Sequence, residues 1–248
     1  MLVAMAKILA LIPARGGSKN PPDKNILAFK GKPLLVHSIE HARQSRHVGR
    51  IVVSTDSEKI AEIGRNAGAE IPFIRPAEFA QDHSNDLEVF QHTLRWLDEN
   101  ENYRPELIVH LRPTSPLRPS GLIDEGINRL LKHPEADSLR TVVPAPQTPF
   151  KMWRLSGEYL EPLLTHPVYP EPYNMPRQLL PPVYWQNAYL DITRWTTVMI
   201  KGSMTGDRIL SLMMSPEDDV DIDHERDLQR AERKGRGRVR QKVSSLTA

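Results

Sequence analysis

Near its N-terminus the chain reads Leu9-Ala10-Leu11-Ile12-Pro13-Ala14-Arg15-Gly16-Gly17-Ser18-Lys19, followed shortly by Lys24-Asn25. The apolar part predicts a buried strand, and the strand ends in a glycine-rich loop with the cations Arg15, Lys19 and Lys24. Glycines let backbone N–H groups approach an anion closely, and Arg and Lys neutralise its charge. The pattern therefore predicts a loop that binds phosphate groups, the alternative being a solvated basic loop. The loop matches neither the P-loop pattern GxxxxGK[ST] nor the dinucleotide pattern GxGxxG.

The composition limits the classes of protein to consider. The 248 residues fit one large α/β domain or a domain with an insertion. A net charge of +2 is too small to indicate a nucleic-acid or membrane partner, and the lack of cysteine excludes disulfides, thiolate catalysis and Cys-based zinc sites. The segment Met1–Leu11 is interpreted as the first strand and not as a signal peptide, and no apolar run reaches the ~18 residues of a membrane span. We therefore expect a cytoplasmic protein.

Short apolar runs alternate with helical patterns over residues 7–143. The predicted strands are Lys7–Ile12, Arg50–Ser54, Ile71–Ile74, Glu106–Leu111 and Ser138–Val143. The predicted helices are Pro33–Ser45, Ser57–Ala67, Asp86–Glu99 and Ser120–Lys132, the last with Ser120 as its N-cap. This alternation predicts an α/β fold in which a mostly parallel sheet has helices on both faces. Ligands of such sheets bind beyond the carboxyl ends of the strands, where the cationic loop, Ser54-Thr55-Asp56 and the turn Arg112–Arg118 fall.

The character of the sequence changes after Val143. Ten of the 22 prolines and seven Tyr or Trp side chains lie between residues 144 and 189, so long helices are excluded there. We predict an inserted arm over 144–189 that packs on a second copy of the chain as a homodimer. Strands are expected again around Tyr189–Ile192 and Ile209–Met213, and a last helix at about His224–Lys234. The prediction is one domain, residues 1–234, with a basic, disordered tail over 235–248 and no nucleic-acid partner.

Asp221 and Asp223 flank Ile222, which suggests a cation site. Alternate residues of an extended segment face the same way, so both carboxylates would project to one side while Ile222 points into the protein. Carboxylates together with phosphate oxygens are ligands for Mg²⁺, with Mn²⁺ as the alternative ion. The simpler interpretation is that Asp223 caps the following helix. The cationic loop favours the metal site.

Two further groups of polar residues could bind a second ligand. Thr114 and Ser115 lie in the turn Arg112–Arg118, whose prolines stiffen it, and its hydroxyl and guanidinium groups could face a hydroxylated or anionic molecule. A rigid strand-to-helix connection is the alternative. Lys151 and Arg177 are cations among the apolar residues of the arm, and they suit either a carboxylate or phosphate ligand or a charged tip in water.

A set of motifs now resembles a known family. In order along the chain these motifs are Ile12–Lys19 with Pro22–Asn25, Val53–Asp56, Arg75–Glu78, Pro113–Arg118, Pro176–Gln178 and Asp221–Asp223. They are similar to those of the acylneuraminate cytidylyltransferases, also called CMP-sialic acid synthetases. The resemblance covers about residues 7–231. It implies a Rossmann-like nucleotide-diphospho-sugar transferase fold with a dimerisation arm, and transfer of CMP from CTP to a nine-carbon 2-keto sugar acid with release of pyrophosphate.

The resemblance also implies roles for individual residues. CTP would be held by the loop and its neighbours, namely Arg15, Gly16, Gly17, Ser18, Lys19, Lys24, Asn25 and Arg75. Arg15, Lys19 and Lys24 would act in catalysis, and Asp221 and Asp223 would hold Mg²⁺. The acceptor would be bound by Arg112, Thr114, Ser115, Lys151, Arg177, Gln178 and Asn187, with Lys151 and Arg177 on its carboxylate.

The chain departs from the family pattern near the acceptor side. Arg112 stands where the family usually has Gln, and the strand Asn-Gly-Ala-Ile-Tyr reads Asn187-Ala188-Tyr189-Leu190-Asp191. Trp185 stands where Arg is common. These departures predict a poor fit to N-acetylneuraminate. Arg112 favours an anionic acceptor group or fills space that a bulkier acceptor would use, and Ala188 blocks close approach to the backbone. Two other functions remain open: a glycosyltransferase with an Asp-x-Asp metal site, and a non-catalytic nucleotide-binding module.

Overall fold

The computed structural model describes residues 6–18, 22–218, 222 and 227. The strands are β1 Ile8–Pro13, β2 Ala28–Phe29, β3 Lys32–Pro33, β4 Arg50–Ser54, β5 Leu107–His110, β6 Ser138–Pro144, β7 Trp153–Ser156, β8 Tyr159–Pro162, β9 Tyr184–Arg194 and β10 Ile209–Met213. The helices are α1 Leu34–Arg43, α2 Glu58–Asn66, α3 Asp86–Glu101, α4 Leu122–Leu131 and α5 Trp195–Met199. The strand–helix alternation predicted for the first half is confirmed.

The central sheet has six strands in the order β10-β6-β9-β5-β1-β4. Strand β1 pairs in parallel with β4 and β5, and β6 pairs in parallel with β10. Strand β9 is antiparallel to both β5 and β6. Since β5 and β6 share that antiparallel neighbour, five of the six strands point the same way and end at one edge. The mostly parallel sheet is confirmed, and its carboxyl edge collects the loops that follow β1, β4 and β5.

Helices cover both faces of the sheet. On one face, α1, α2 and α4 pack their apolar stripes on the strands, and Leu35, Ile39 and Ile127 are fully buried there. On the other face, α3 and α5 bury Phe90 and Val198 against the sheet. These packed layers fix the positions of the strand ends and hence of the loops at the carboxyl edge.

Two predictions about local structure are wrong. Residues 71–74 form no strand, because the backbone after α2 pairs with β4 only at the single bridge between Val52 and Glu70. The N-cap of α4 is Gly121, not Ser120, and Gly121 has a φ of 81° and no side-chain cap. Glycine adopts this left-handed conformation without strain, so the turn into α4 is set by the backbone.

The arm between β6 and β9 is irregular, as predicted, with a β7–β8 hairpin and three short 3₁₀ turns. It is shorter than predicted, because residues 184–189 belong to β9 of the central sheet. The predicted last helix and tail lie outside the described residues, apart from Asp227. Within the described part of the chain, none of the helices is long and apolar enough to cross a membrane.

Candidate active site

The two glycines of the loop after β1 occupy positions that glycine suits. A Cβ atom at Gly16 would lie 3.1 Å from the Cβ of Ser57, and Gly17 has a φ of 63°. The backbone N–H of Gly16 donates to Oδ1 of Asp56 at 2.8 Å. The glycines therefore bring the loop backbone against the end of β4 and the start of α2.

The loop is braced from its other side by the turn at residues 22–26. Nδ2 of Asn25 donates to the carbonyl oxygen of Arg15 at 2.9 Å. The backbone N–H of Lys24 donates to Oγ of Ser18 at 2.7 Å. Asn25 and Ser18 thus shape the loop, a role that the sequence did not indicate. Lys19 lies outside the described residues.

An open cleft runs between this loop and the segment that follows β4 and α2. The residues lining it are Arg15, Gly16, Gly17, Asp56, Ser57 and the stretch Ala80–Asp82. Nη1 of Arg15 lies 2.8 Å from Oδ1 of Asp82, and the Arg15 side chain is 35% exposed. The predicted phosphate loop therefore presents a guanidinium group to a solvent-accessible cleft at the carboxyl edge of the sheet.

Arg75 lies next to this cleft with unsatisfied hydrogen-bond donors. It is 4% exposed, and its backbone N–H donates to the carbonyl oxygen of Thr55 at 2.7 Å. Its Nη2 is 3.8 Å from Oδ1 of Asp56, and its Nε and Nη2 make no hydrogen bond within the described structure. Burial lowers the pKa of Arg75, and Asp56 opposes this effect. Buried donors without acceptors are costly, so we interpret Arg75 as directed toward an acceptor atom of a ligand.

Arg112 belongs to an ion-pair network that the sequence did not reveal. Its Nη1 lies 2.8 Å from Oδ2 of Asp191, and its Nη2 lies 3.3 Å from Oδ2 of Asp86. Nε of Arg140 is 3.3 Å from the other oxygen of Asp191. Burial acts against the charge of Arg112, but Asp191 and Asp86 raise its pKa overall. The role of Arg112 toward an acceptor stays a prediction, and within the fold the carboxylates of Asp86 and Asp191 compensate its charge.

Several residues predicted on the acceptor side turn inward. Ser115 is fully buried, and its Oγ donates to the carbonyl oxygen of Ala188 at 3.4 Å. Asn187 is 2% exposed, and its Nδ2 contacts Sδ of Met214 at 3.3 Å. Buried Arg118 donates to the carbonyl oxygens of Tyr189 and Arg112. These contacts favour the alternative that the turn after β5 is a rigid connection.

Lys151, Arg177 and Gln178 lie in exposed parts of the arm. Nη1 of Arg177 donates to the carbonyl oxygen of Pro146 at 3.0 Å, and its Nη2 donates to that of Ala145 at 2.5 Å. Arg177 thus ties the arm to the chain leaving β6, and its guanidinium is partly used within the fold. It lines a cleft with Gln178 and Thr148, whose buried Oγ1 has no hydrogen-bond partner in the described structure.

The prediction that Ile222 points into the protein is confirmed. Ile222 is fully buried with Phe29 and Leu34, and its backbone N–H donates to the carbonyl oxygen of Thr114 at 2.9 Å. Ile222 therefore contacts the turn that follows β5. Asp221 and Asp223 lie outside the described residues, and the described residues contain no group of three or more His, Cys, Asp or Glu that could hold a metal ion.

Burial disfavours the charged form of two histidines. His110 is 1% exposed beside Phe90, and burial, with Arg112, Arg118 and Arg140, lowers its pKa well below the usual value. Burial also lowers the pKa of His41 to about 3. Neither Nδ1 has a hydrogen-bond partner in the described structure, and Oδ2 of Asp86 lies 4.0 Å from Nδ1 of His110, so a proton on either ring would place a charge without a hydrogen bond inside the fold.

We expect the free energy of unfolding to fall when the pH drops from 7 to 5, with His41 contributing roughly 2 kcal/mol and His110 acting in the same direction. Histidine in the unfolded chain binds a proton near pH 6.5, whereas burial lowers the pKa of His110 and His41 in the folded chain, so acid favours unfolding. Urea denaturation at both pH values measures the difference. This difference between the two pH values should shrink in His110→Asn but not in His133→Asn, because His133 is exposed. An unchanged difference in His110→Asn would contradict the lowered pKa of His110.

Comparisons with known proteins point to cytidylyltransferases. A family model described as Cytidylyltransferase matches residues 9–189. The chain is 30% identical over 220 residues to an N-acylneuraminate cytidylyltransferase of Streptococcus agalactiae serotype V, covering 88% of this chain and 50% of that protein. It is 35% identical over 127 residues to a pseudaminic acid cytidylyltransferase of Campylobacter jejuni, covering 51% of this chain and 54% of that protein. The chain thus spans about half the length of these curated relatives.

Solved structures share the fold at lower identity. A CMP:2-keto-3-deoxy-manno-octonic acid synthetase complexed with CTP superposes with a TM-score of 0.66 at 15% identity, covering 92% of this chain and 97% of that one. A 4-diphosphocytidyl-2C-methyl-D-erythritol synthase from Anaerococcus prevotii gives a TM-score of 0.62 at 13% identity, with coverages of 92% and 98%. The fold is therefore that of α/β nucleotidyltransferases. The chain belongs to the cytidylyltransferase family.

Proposed function

We propose that the protein transfers CMP from CTP to a sugar-acid acceptor of the nonulosonate-like 2-keto acid class and releases pyrophosphate. The observation that carries the proposal is the glycine-braced loop after β1, which presents Arg15 to an open cleft at the carboxyl edge of the sheet. Membership of the cytidylyltransferase family supports the reaction type. The names of the relatives, which act on N-acylneuraminate and pseudaminic acid, support the acceptor class.

The reaction needs cationic groups beside the phosphates more than it needs a nucleophilic side chain. Attack of an acceptor hydroxyl on the α-phosphate builds negative charge on the phosphoryl oxygens and on the leaving pyrophosphate. Arg15 and Lys24, with Lys19, would hold and neutralise these groups. The buried N–H groups of Arg75 would donate hydrogen bonds to the nucleotide. No covalent enzyme intermediate is required, because binding and orientation of the two substrates suffice.

A divalent cation is part of the proposal. Asp221 and Asp223 would hold Mg²⁺ or Mn²⁺, since carboxylate oxygens are the ligands that these hard cations prefer. The docking of Ile222 on Thr114 supports a place for the segment near the turn after β5. The bound ion would add positive charge at the phosphates and template their orientation.

The acceptor side is proposed to lie toward the arm. Lys151, Arg177 and Gln178 are exposed there, and the unpartnered Oγ1 of Thr148 lines the same cleft as Arg177 and Gln178. An acceptor carboxylate would suit these donors. Ala188 has a φ of 57°, a conformation that favours glycine, and its Cβ narrows the approach to the backbone. We therefore propose a preferred acceptor smaller or less hydroxylated than N-acetylneuraminate.

The proposal is tested by screening CTP for pyrophosphate release against a panel of 2-keto sugar acids. Release that depends on both CTP and one acceptor supports it. A glycosyltransferase would instead consume an intact sugar nucleotide, and a nucleotide-binding module would bind CTP without turnover on any acceptor. Either result would overturn the proposed reaction. The proposal places this reaction in the cytoplasm, which the cysteine-free sequence permits.

We also propose a homodimer formed through the arm. Leu155, Tyr159, Leu160 and Val168 are 60–78% exposed, and several large apolar side chains left in water on one arm favour a covering partner. The arm is too irregular to bury these side chains by itself. A second copy of the chain would cover these side chains, and the arm of one chain would then lie near the cleft of the other.

Light scattering at micromolar concentration should therefore give the mass of a dimer. Replacing Leu155 and Leu160 by Asp should shift the protein to monomer, because each change puts a charge into the apolar contact. Ile200 is 72% exposed outside the arm, so Ile200→Asp is the matched control and should stay dimeric. A monomeric wild-type protein would contradict the proposed dimer.

A further inference from the structure

We infer that Asp82 is a positioning residue that orients the guanidinium group of Arg15 in the cleft. This inference rests on the proposed role of Arg15 as a ligand of the CTP phosphates. Oδ1 of Asp82 accepts a hydrogen bond from Nη1 of Arg15 at 2.8 Å. A guanidinium group has five N–H donors in a planar fork, so this contact fixes its plane and leaves other donors for phosphate oxygens.

The backbone of Arg15 is already fixed, which leaves its side chain as the part that needs orientation. The neighbouring Gly16 N–H is held by Asp56, and the carbonyl oxygen of Arg15 is held by Asn25. A long, partly exposed arginine side chain otherwise samples many rotamers, and that freedom must be lost when phosphate binds. Fixing the side chain beforehand reduces this loss and so favours nucleotide binding.

Asp82 is carried by a turn with its own hydrogen bonds. The backbone N–H of Ser84 donates to the carbonyl oxygen of Gln81 at 3.1 Å, and Oγ of Ser84 donates to that of Glu78 at 3.2 Å. The ring of Phe79 lies 4.9 Å from that of His92, which attaches the turn to α3. The Asp82 carboxylate thus lies on a hydrogen-bonded turn that also lines the cleft, so its position is fixed well enough to orient Arg15.

The contact can be separated from the stability of the fold. The Asp82 side chain is 56% exposed, and exposed ion pairs add little to folding stability. A change at Asp82 should therefore leave the melting temperature nearly unchanged. A carboxylate near a triphosphate could instead act as a competitor for Arg15, in which case its removal would strengthen CTP binding. The sign of the effect distinguishes the two roles.

The test measures CTP binding by calorimetry and steady-state kinetics with Asp82→Ala. We expect CTP affinity and kcat/KM for CTP to fall about 5- to 10-fold, mainly through KM, because orientation is lost while the charge of Arg15 remains. Asp82→Asn should recover most of the loss, since its Oδ1 can still accept from Nη1. Glu78→Ala is the matched control, because it removes a carboxylate from the same turn, and it should behave as wild type.

A double-mutant cycle gives the decisive readout. In an Arg15→Ala background, Asp82→Ala should cause no further loss, because there is no guanidinium left to orient. Unchanged or tighter CTP binding in Asp82→Ala overturns the inference, and so does a loss that persists in the Arg15→Ala background. If Arg15→Ala itself is without effect, the proposed role of Arg15 fails as well. If the wild-type protein does not bind CTP, both are overturned.

Discussion

Arg15→Ala is expected to lower turnover with CTP at least ~100-fold, the scale of losing one preorganised charge contact to a transition state. Arg15 is the described cation that points into the cleft beside the glycines, and its backbone is fixed by neighbouring hydrogen bonds. Negative charge grows on the phosphates during the reaction, so losing this guanidinium should reduce kcat as well as CTP affinity. Lys19→Ala is expected to have an effect of similar size.

The measurement is steady-state pyrophosphate release, with thermal melting to confirm that the fold survives. Arg15 is partly exposed, so its removal should cost little stability. Arg129→Ala is a matched control, since Arg129 is an exposed arginine of α4 away from the loop after β1. Near-normal turnover in both Arg15→Ala and Lys19→Ala would contradict the phosphate-binding role of the loop.

Removal of divalent cations is expected to abolish turnover completely. Excess EDTA should stop pyrophosphate release, and Mg²⁺ or Mn²⁺ should restore it, because the metal offsets charge that the cationic loop alone cannot neutralise. Asp223→Asn replaces one charged ligand by a neutral one, so saturating Mg²⁺ should not restore it fully. Asp218→Asn removes a carboxylate from the same acidic stretch and should be rescued as well as wild type. Full activity in excess chelator would rule out the metal.

Much of the fold could be predicted because the sequence patterns of single helices, strands and loops indicate it. The apolar spacing in α1, α3 and α4 identified the buried faces, and the apolar run of β1 ending in two glycines located the loop. The conformations of Gly16 and Gly17 explain why that signal was reliable, since a close approach and a left-handed φ both demand glycine. The direction of β9 depends on how distant strands pair, so the sequence pattern could not indicate it.

The missed parts of the candidate site involve partners far apart in the chain. Asp82 meets Arg15 across 67 positions, and Asp191 meets Arg112 across 79. Each of these carboxylates is unremarkable in its own segment, so only the folded sheet shows what it compensates. The departure at Arg112 was visible in the sequence, but its ion pair with Asp191, also part of a departing motif, was not. Charge in a motif therefore predicts a ligand only when its partners are known.

The central claim is the transfer of CMP from CTP to a sugar acid. Phosphorus NMR of a reaction containing the protein, CTP, Mg²⁺ and the acceptor selected by the screen, with mass spectrometry of the product, tests it most directly. We expect pyrophosphate and a CMP–sugar phosphodiester to form in equal amounts, with the cytidine α-phosphorus retained in the product. Formation of CDP and inorganic phosphate, or unchanged CTP with every sugar acid in the panel, would contradict it.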